Sequence, residues 1–306
     1  MINLILIFLA DLEKKVEKEE EKLVVEKSYS SLKKELAPYK QAAPKAGLGG
    51  KIKAAFYNVG KIAKNAVDNT FGYGIASYQD YKTRKHFKKN PGSEDQVVYL
   101  MHGLFQNKGS QWRLAKQLRK EGFKPYHLKG YHHLPREKDA DKAFEQIDKF
   151  HKYTRIKDAY KRNDYFSGHS SGADVGIYMA GDKRIRKYGI TAVQARAPAA
   201  GGIEAKTIGQ KLLMPFANED NVKKSISAKK SAVTLADRKP KVPVYVVAGK
   251  YDNLVPPSDA IYKHAKKHYI IQHHDSTHFG TSGGTPHMNE VFVDLLNPKK
   301  TYKKAA

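Results

Sequence analysis

The chain has 306 residues, enough to bury one large α/β core together with a smaller extension. Its 56 Lys and Arg residues outnumber its 31 Asp and Glu residues, and the formal net charge of +25 favours attraction to anionic partners without determining the fold. The sequence contains no cysteine, which excludes disulfides, thiolate metal sites and cysteine nucleophiles.

Residues 1 to 10 are almost wholly apolar, but they are too few to cross a bilayer as a helix. They lack a basic leader, and Asp11 and Glu13 follow at once, so a cleaved signal peptide fits poorly. A membrane-touching segment and an ordinary buried helix start are both open. The many lysines and the lack of cysteine favour a cytoplasmic protein, with peripheral membrane association as the alternative.

The region before residue 90 has helical patterns separated by breaks. Residues 11 to 36 mix Glu and Lys without Gly or Pro, which predicts a solvated helix. Residues 51 to 67 place apolar side chains at helical spacing with lysines mostly off that face, typical of a helix that lies on an anionic membrane or packs on the protein body. Gly72 and Gly74, among aromatic residues, predict a turn-rich connection.

From residue 91 onward, apolar runs alternate with helical patterns. Strands are predicted near residues 97–101, 124–128, 164–167, 190–193, 242–249 and 269–271, with helices between most of them and a closing helix over 286–296. This alternation predicts an α/β fold with a mainly parallel sheet and helices on both faces. The pattern of residues 203–240 predicts lysine-rich helices and no clear strand.

One five-residue stretch, Gly168-His169-Ser170-Ser171-Gly172, stands between a predicted strand and a predicted helix. At such a sharp turn the strand and helix nearly touch, so glycines are needed two positions before and after the serine. The backbone of Ser170 is then strained, and its hydroxyl projects above the sheet. The alternative is a serine that caps a helix in a glycine-rich turn.

Two further motifs follow the ends of predicted strands. The strand at 242–249 runs into Gly249-Lys250-Tyr251-Asp252-Asn253-Leu254-Val255-Pro256, and the last strand is followed by a loop that carries His278. Ser170, Asp252 and His278 therefore occur in the order serine, acid, histidine. Residues 90 to 297 resemble an α/β hydrolase of the lipase/esterase kind, in which this order is used. The resemblance covers about two thirds of the chain.

The resemblance implies a role for each motif. Ser170 is the nucleophile, His278 the general base and acid, and Asp252 the carboxylate that orients the histidine. His102 and Gly103, after the first core strand, are similar to the oxyanion loop of this family, with the backbone N–H groups of Leu104 and Ser171 as donors. Gln106 stands where many relatives carry glycine, and Thr277 where they often carry glycine too.

The sequence also contains competing candidates for the acid, the base and a metal site. His273, His274 and His287 compete with His278, whereas Asp174, inside the predicted helix after Ser170, fits a structural role. The histidines near 273–278 and the pair His132-His133 lack the spacing of a zinc hydrolase, so neither metal nor cofactor is expected. The charge permits nucleic-acid binding, but no recognised module supports a specific nucleic-acid partner.

The expected protein is a serine hydrolase that cleaves carboxylic esters through an acyl-enzyme. Residues 1–90 form a helical, charged and amphipathic extension, residues 91–306 the catalytic domain, and residues 203–240 a helical lid. The substrate is a small-molecule or lipid ester, and the extension is a candidate for contact with an anionic membrane surface. The alternatives are a thioesterase or acyltransferase with the same triad, and a non-catalytic cationic protein that binds membrane or nucleic acid.

Overall fold

The computed structural model describes residues 24–27, 48–104, 106–131, 134–200, 235, 238–252, 254–271, 276–283, 289, 292–293 and 295–296. Within these ranges the strands are β1 (Val24–Lys27), β2 (Val97–Met101), β3 (Lys124–Leu128), β4 (Asp164–His169), β5 (Ile190–Arg196), β6 (Val244–Gly249) and β7 (Lys267–Ile271). The helices are α1 (Leu48–Lys89), α2 (Trp112–Lys120), α3 (Arg136–Thr154), α4 (Ser171–Ala180) and α5 (Arg184–Lys187). Short 3-10 turns cover Lys108–Gln111, Ala159–Lys161 and Gly280–Ser282. The predicted lid lies almost entirely outside the described residues.

The strands form one sheet in the order β1-β7-β6-β5-β4-β2-β3. The strands from β2 to β7 are parallel to their neighbours, as the alternation of strands and helices predicts, and only β1 is antiparallel. The sequence prediction of a helix over residues 11–36 is wrong at 24–27. These residues instead pair with residues 268–271, which supplies the edge strand β7 with backbone hydrogen bonds that local helix propensity cannot anticipate.

Strand β2 shows how the sheet divides two hydrophobic cores. Val97, Tyr99 and Met101 belong to the core that α3 and α4 cover. Val98 and Leu100 face the core formed with α2 and with Phe292, Val293 and Leu296. All five side chains of β2 are fully buried. A strand covered on both faces has no need of alternating polar residues, which explains its continuous apolar sequence.

Helix α1 continues through Gly72 and Gly74, so the predicted turn-rich connection is wrong. A Cβ atom added to Gly72 would stand 2.4 Å from the ring of Trp112 and 2.5 Å from the carbonyl oxygen of Gly109. Gly72 is therefore present because helix and turn touch backbone to backbone. This tertiary packing offsets the helix cost of a glycine, which is about 1 kcal/mol.

Two buried aspartates fasten α1 to the body. Asp68 accepts hydrogen bonds from Arg113 at 2.7 Å and from the indole N–H of Trp112 at 3.2 Å. Asp80 Oδ1 accepts from the backbone N–H of His127 at 2.9 Å. Helix α1 thus packs along the β3 side of the protein from residue 66 onward, while the boundary at residue 90 stays a prediction. Over the ranges described above, the length and apolar content needed to span a bilayer do not occur together in any helix.

Candidate active site

The turn between β4 and α4 holds Ser170 in a strained conformation, with φ 53° and ψ −122°. A Cβ atom on Gly168 would lie 2.2 Å from the carbonyl oxygen of Gly172. One on Gly172 would lie 2.6 Å from the carbonyl oxygens of both Met101 and His102. The steric reason for the glycine spacing is thus visible in the structure, and the turn presents Ser170 at the carboxyl end of the sheet.

Asp252 and His278 are in direct contact. Oδ2 of Asp252 lies 2.9 Å from Nδ1 of His278, and Oδ1 of the same carboxylate accepts the backbone N–H groups of Leu254 at 2.9 Å and Val255 at 2.8 Å. The Asp252 side chain is fully buried and that of His278 is 11% exposed. The carboxylate is therefore fixed by its own turn and in turn fixes the orientation of the imidazole.

The loop after β2 stands directly beside the serine. A Cβ atom on Gly103 would lie 2.9 Å from Cβ of Ser170, so only a glycine allows this approach. The backbone N–H of Gly103 donates to Oε1 of Gln106 at 3.1 Å, and the N–H of Gln106 donates back to the carbonyl of Gly103 at 3.3 Å. Gln106, which departs from the family pattern, closes this loop into a compact turn that contains Leu104.

The second predicted donor, Ser171, is the first residue of α4. Backbone N–H groups in the first turn of a helix point along its axis toward the positive end of the macrodipole, which favours negative charge there. Ser171 itself is buried, and Leu104 is half-buried in the turn after β2. Leu104 directly follows Gly103, which approaches Ser170, and Ser171 is the next residue after Ser170.

His169 connects the parts of this site, a role that the sequence does not reveal. Its Nε2 lies 2.9 Å from the backbone carbonyl oxygen of His278, and its Nδ1 lies 3.0 Å from Oε1 of Gln106. The rings of His169 and His278 have centroids 4.7 Å apart. Complete burial, followed by the nearby His278, lowers the pKa of His169 well below its ordinary value, so the ring is a neutral structural link.

Neighbouring His102 is also buried, with Nδ1 3.0 Å from the carbonyl oxygen of Gly103. Burial lowers the pKa of His102 to about 4, against the opposing effect of the Gly103 hydrogen bond. His102 is therefore neutral at pH 7 and fits the supporting role expected of the His102-Gly103 pair rather than that of a base.

Arg196, at the end of β5, is a second residue that sequence reasoning missed. It is completely buried, and Nη1 donates to the carbonyls of Thr281 at 3.0 Å and Ser282 at 2.9 Å, while Nε donates to Oγ of Ser167 at 3.1 Å. Burial lowers its pKa to about 9. The guanidinium fastens the turn after His278 to the strand that leads to Ser170; its signal in the sequence is a lone arginine ending an otherwise uncharged strand.

Asp174 takes a structural position, as the sequence predicts. Its Oδ2 pairs with Arg136 at 3.1 Å and its Oδ1 accepts the backbone N–H of Ala199 at 2.8 Å. Burial raises its pKa. The competing histidines and the pair His132-His133 lie outside the described residues. Among the residues that are described, no three metal-ligating side chains cluster.

The predicted site residues therefore gather at one end of the sheet. Gly103, Ser170, Asp252 and His278 follow β2, β4, β6 and β7, and the carboxyl ends of parallel strands share one edge. The structure brings Asp252 to His278 and Gly103 to Ser170, and His169 bridges the two groups. Asp252 and His278 thus form an imidazole oriented by a carboxylate, whereas Ser170 and His278, both described, share no hydrogen bond in this structure.

The sequence matches no protein-family model and no curated protein. Solved structures with a similar fold include Est1E from Butyrivibrio proteoclasticus, which is 17% identical and superposes over 68% of this chain and 88% of its own with a TM-score of 0.47. The enol-lactonase from Burkholderia xenovorans LB400 is 14% identical over 66% of this chain and 91% of its own, with a TM-score of 0.46. The thioesterase domain from the curacin biosynthetic pathway is 13% identical over 67% and 92%, with a TM-score of 0.44.

The order of the parallel strands and the strained serine between β4 and α4 are both features of one fold class. In that class the strands alternate with helices on both faces, the serine stands on a sharp strand-to-helix turn, and the acid and the histidine follow later strands. The chain has the α/β-hydrolase fold.

Proposed function

We propose that the protein is a serine hydrolase that cleaves carboxylic esters with Ser170, His278 and Asp252. The observation that supports this most is the 2.9 Å contact between Asp252 and Nδ1 of His278 at the same edge of the sheet as the strained Ser170. A serine hydroxyl is a weak nucleophile until a base accepts its proton, and the base needs a partner that fixes its orientation. Because Asp252 occupies Nδ1, Nε2 is the ring nitrogen assigned to Ser170.

In the first half of the reaction, Oγ of Ser170 attacks the ester carbonyl and its proton passes to Nε2 of His278. The carbonyl oxygen becomes an oxyanion that accepts the N–H groups of Leu104 and Ser171. Collapse of this intermediate breaks the ester C–O bond, and the alcohol leaves with the proton from His278. In the second half, water attacks the acyl-serine while one of its protons passes to Nε2 of His278. The acyl C–Oγ bond then breaks, His278 returns the proton to Oγ of Ser170, and the carboxylic acid leaves.

The test compares Ser170→Ala with Ser171→Ala. The Ser171→Ala protein keeps the backbone N–H assigned to the oxyanion and loses only a neighbouring hydroxyl, so it is the matched control. Ser170→Ala should lose both p-nitrophenyl ester hydrolysis and labelling by a fluorophosphonate, whereas Ser171→Ala should retain them. A Ser170→Ala protein that is still labelled, or a folded wild type without either activity, would contradict the proposal.

The same triad can also open thioesters or pass the acyl group to an acceptor other than water. A panel of p-nitrophenyl esters of increasing chain length, run beside acyl thioesters, separates these chemistries. We favour fatty-acyl esters, because the chain is strongly cationic and lipid surfaces are commonly anionic. Faster turnover of long acyl chains than of acetate is the expected result, and a preference for thioesters would change the substrate class without changing the triad.

A further inference from the structure

Helix α1 exposes a row of large apolar side chains to solvent. Phe71 is 75% exposed, Tyr78 57%, Val67 52% and Ile75 41%. Spacings of four, eight and eleven residues from Val67 put all four on one side of a helix. We call these four residues the aromatic face. Apolar side chains that stand out singly are common on proteins, but a continuous row marks a surface for a membrane or a partner.

The same side of α1 becomes basic after the aromatic face. Lys82, Lys85, Lys88 and Lys89 are all exposed, and we call them the lysine end. The Lys82 ammonium stands 4.6 Å from the ring centroid of Tyr78, so the two regions meet at this pair. An apolar row that continues into lysines is the pattern of a helix that lies on an anionic lipid surface.

The acids of this stretch do not offset that charge. Between residues 66 and 89 the acidic residues are Asp68 and Asp80, and both are buried. Asp68 pairs with Arg113 at 2.7 Å, and Asp80 with His127 at 2.7 Å and with Lys108 at 3.3 Å. The exposed side of α1 from residue 66 therefore carries positive charge without negative charge.

The positive charge and the aromatic rings of this surface favour a lipid partner over a second copy of the chain or a nucleic acid. A second copy of this chain would bring the same excess of lysines to the interface, and like charges oppose association. Single-stranded nucleic acid binds by stacking bases on open aromatic rings, whereas Lys82 already lies over Tyr78 and Lys85 lies 5.7 Å from the centroid of Tyr81. Lipid headgroups need no stacking, because phosphates meet the lysines while the rings enter the interface.

Helix α1 also contacts, through Asn69, the segment that follows the loop beside Ser170. The backbone N–H of Asn107 donates to Oδ1 of Asn69, within α1, at 3.1 Å, and Asn107 follows directly on the loop of Gly103 and Gln106.

We propose that the aromatic face and the lysine end of α1 bind an anionic lipid surface. Phe71 and Tyr78 enter the headgroup region, and Lys82 and Lys85 contact lipid phosphates. This inference goes beyond ester hydrolysis, since binding to a membrane requires no turnover.

The experiment is flotation of the full chain with vesicles of phosphatidylcholine alone or mixed with phosphatidylserine. The wild type should float with the anionic vesicles and much less with the neutral ones, and added salt should release it. The double variant Phe71→Ser/Tyr78→Ser should bind at least about tenfold more weakly. Lys82→Gln/Lys85→Gln should lose about fivefold for each lysine.

Tyr160→Ser is the matched control, because Tyr160 is 62% exposed and lies outside α1, in the turn Ala159–Lys161. It should float like the wild type, and so should Ser170→Ala, which separates this proposal from ester hydrolysis. Circular dichroism and the melting temperature establish that each variant is folded. Equal binding of folded Phe71→Ser/Tyr78→Ser and wild type to anionic vesicles would overturn the proposal. Binding of single-stranded RNA but not of vesicles would overturn it as well.

Discussion

The turn that carries Ser170 depends on Gly168 having no side chain, and Gly168→Ala tests this directly. The added methyl group would stand 2.2 Å from the carbonyl oxygen of Gly172, where an ordinary contact begins at 3.4 Å. The strand and the helix must therefore separate by 3.4 − 2.2 = 1.2 Å. The nearest atoms are all backbone, so no side chain can turn away. We expect a loss of about 3 kcal/mol in the free energy of unfolding.

Gly74→Ala is the matched control with the opposite sign. Gly74 lies inside α1, and a Cβ atom there would meet nothing within 4 Å. Alanine should therefore stabilise the protein by about 0.5–1 kcal/mol. Urea unfolding measures both variants, and the rate of fluorophosphonate labelling reports whether Ser170 is still presented correctly. A Gly168→Ala protein with the midpoint and labelling rate of the wild type would refute the steric account of the turn.

Three further changes test other parts of the site and the core. Asp252→Asn should lower ester turnover by about 10⁴-fold, because the imidazole loses its orienting charge; normal turnover in a folded variant would contradict the assigned acid. Arg196→Met should lower the unfolding free energy by about 3 kcal/mol, because it leaves the Thr281 and Ser282 carbonyls unpaired. Arg196→Lys should lower it by a smaller amount, and an Arg196→Met protein as stable as the wild type would refute this account. Burial lowers the pKa of His151 from 6.5 to about 4, so the unfolded chain takes up a proton that the folded protein excludes, and stability falls as pH falls through this window. His151→Gln should reduce that loss of stability by up to about 3 kcal/mol, as measured by urea unfolding between pH 7 and pH 4. An unchanged dependence of the unfolding free energy on pH would exclude His151 as the source of the loss.

The sheet was predictable from the sequence because its signals are local. The strand at 97–101 is predicted by five consecutive apolar or aromatic residues. The glycine spacing around Ser170 follows from contacts within a few residues. Strand β1 could not be predicted in the same way. Its four residues pair with a strand more than 240 positions later, and nothing within the surrounding Glu- and Lys-rich stretch announces that partner.

The residues around the candidate site show the same division. Asp252 and His278 follow predicted strands, so their meeting at one edge of the sheet is a consequence of topology. His169 and Arg196 could not be assigned, because each contacts backbone carbonyls of a segment far away in the sequence. Gln106 could not be assigned either, because it contacts the side chain of His169, which is also far away in the sequence. Buried polar side chains of this kind are identified by their partners, and those partners appear only when the chain is folded.

The contact between Gly72 in α1 and Gly109, in the turn that follows the Gly103 loop, limits how this protein can be shortened. The turn packs on the backbone of α1, and Trp112 donates a hydrogen bond to Asp68 of the same helix. A chain that begins at Pro91 would lose both contacts. Substitution of Gly72 or Gly109 is restricted for the same reason, because any larger residue would push the helix away from the turn. Helix α1 from residue 66 onward is therefore a structural part of the α/β fold, and substitutions in the helix and in the turn that it contacts must be compatible with each other.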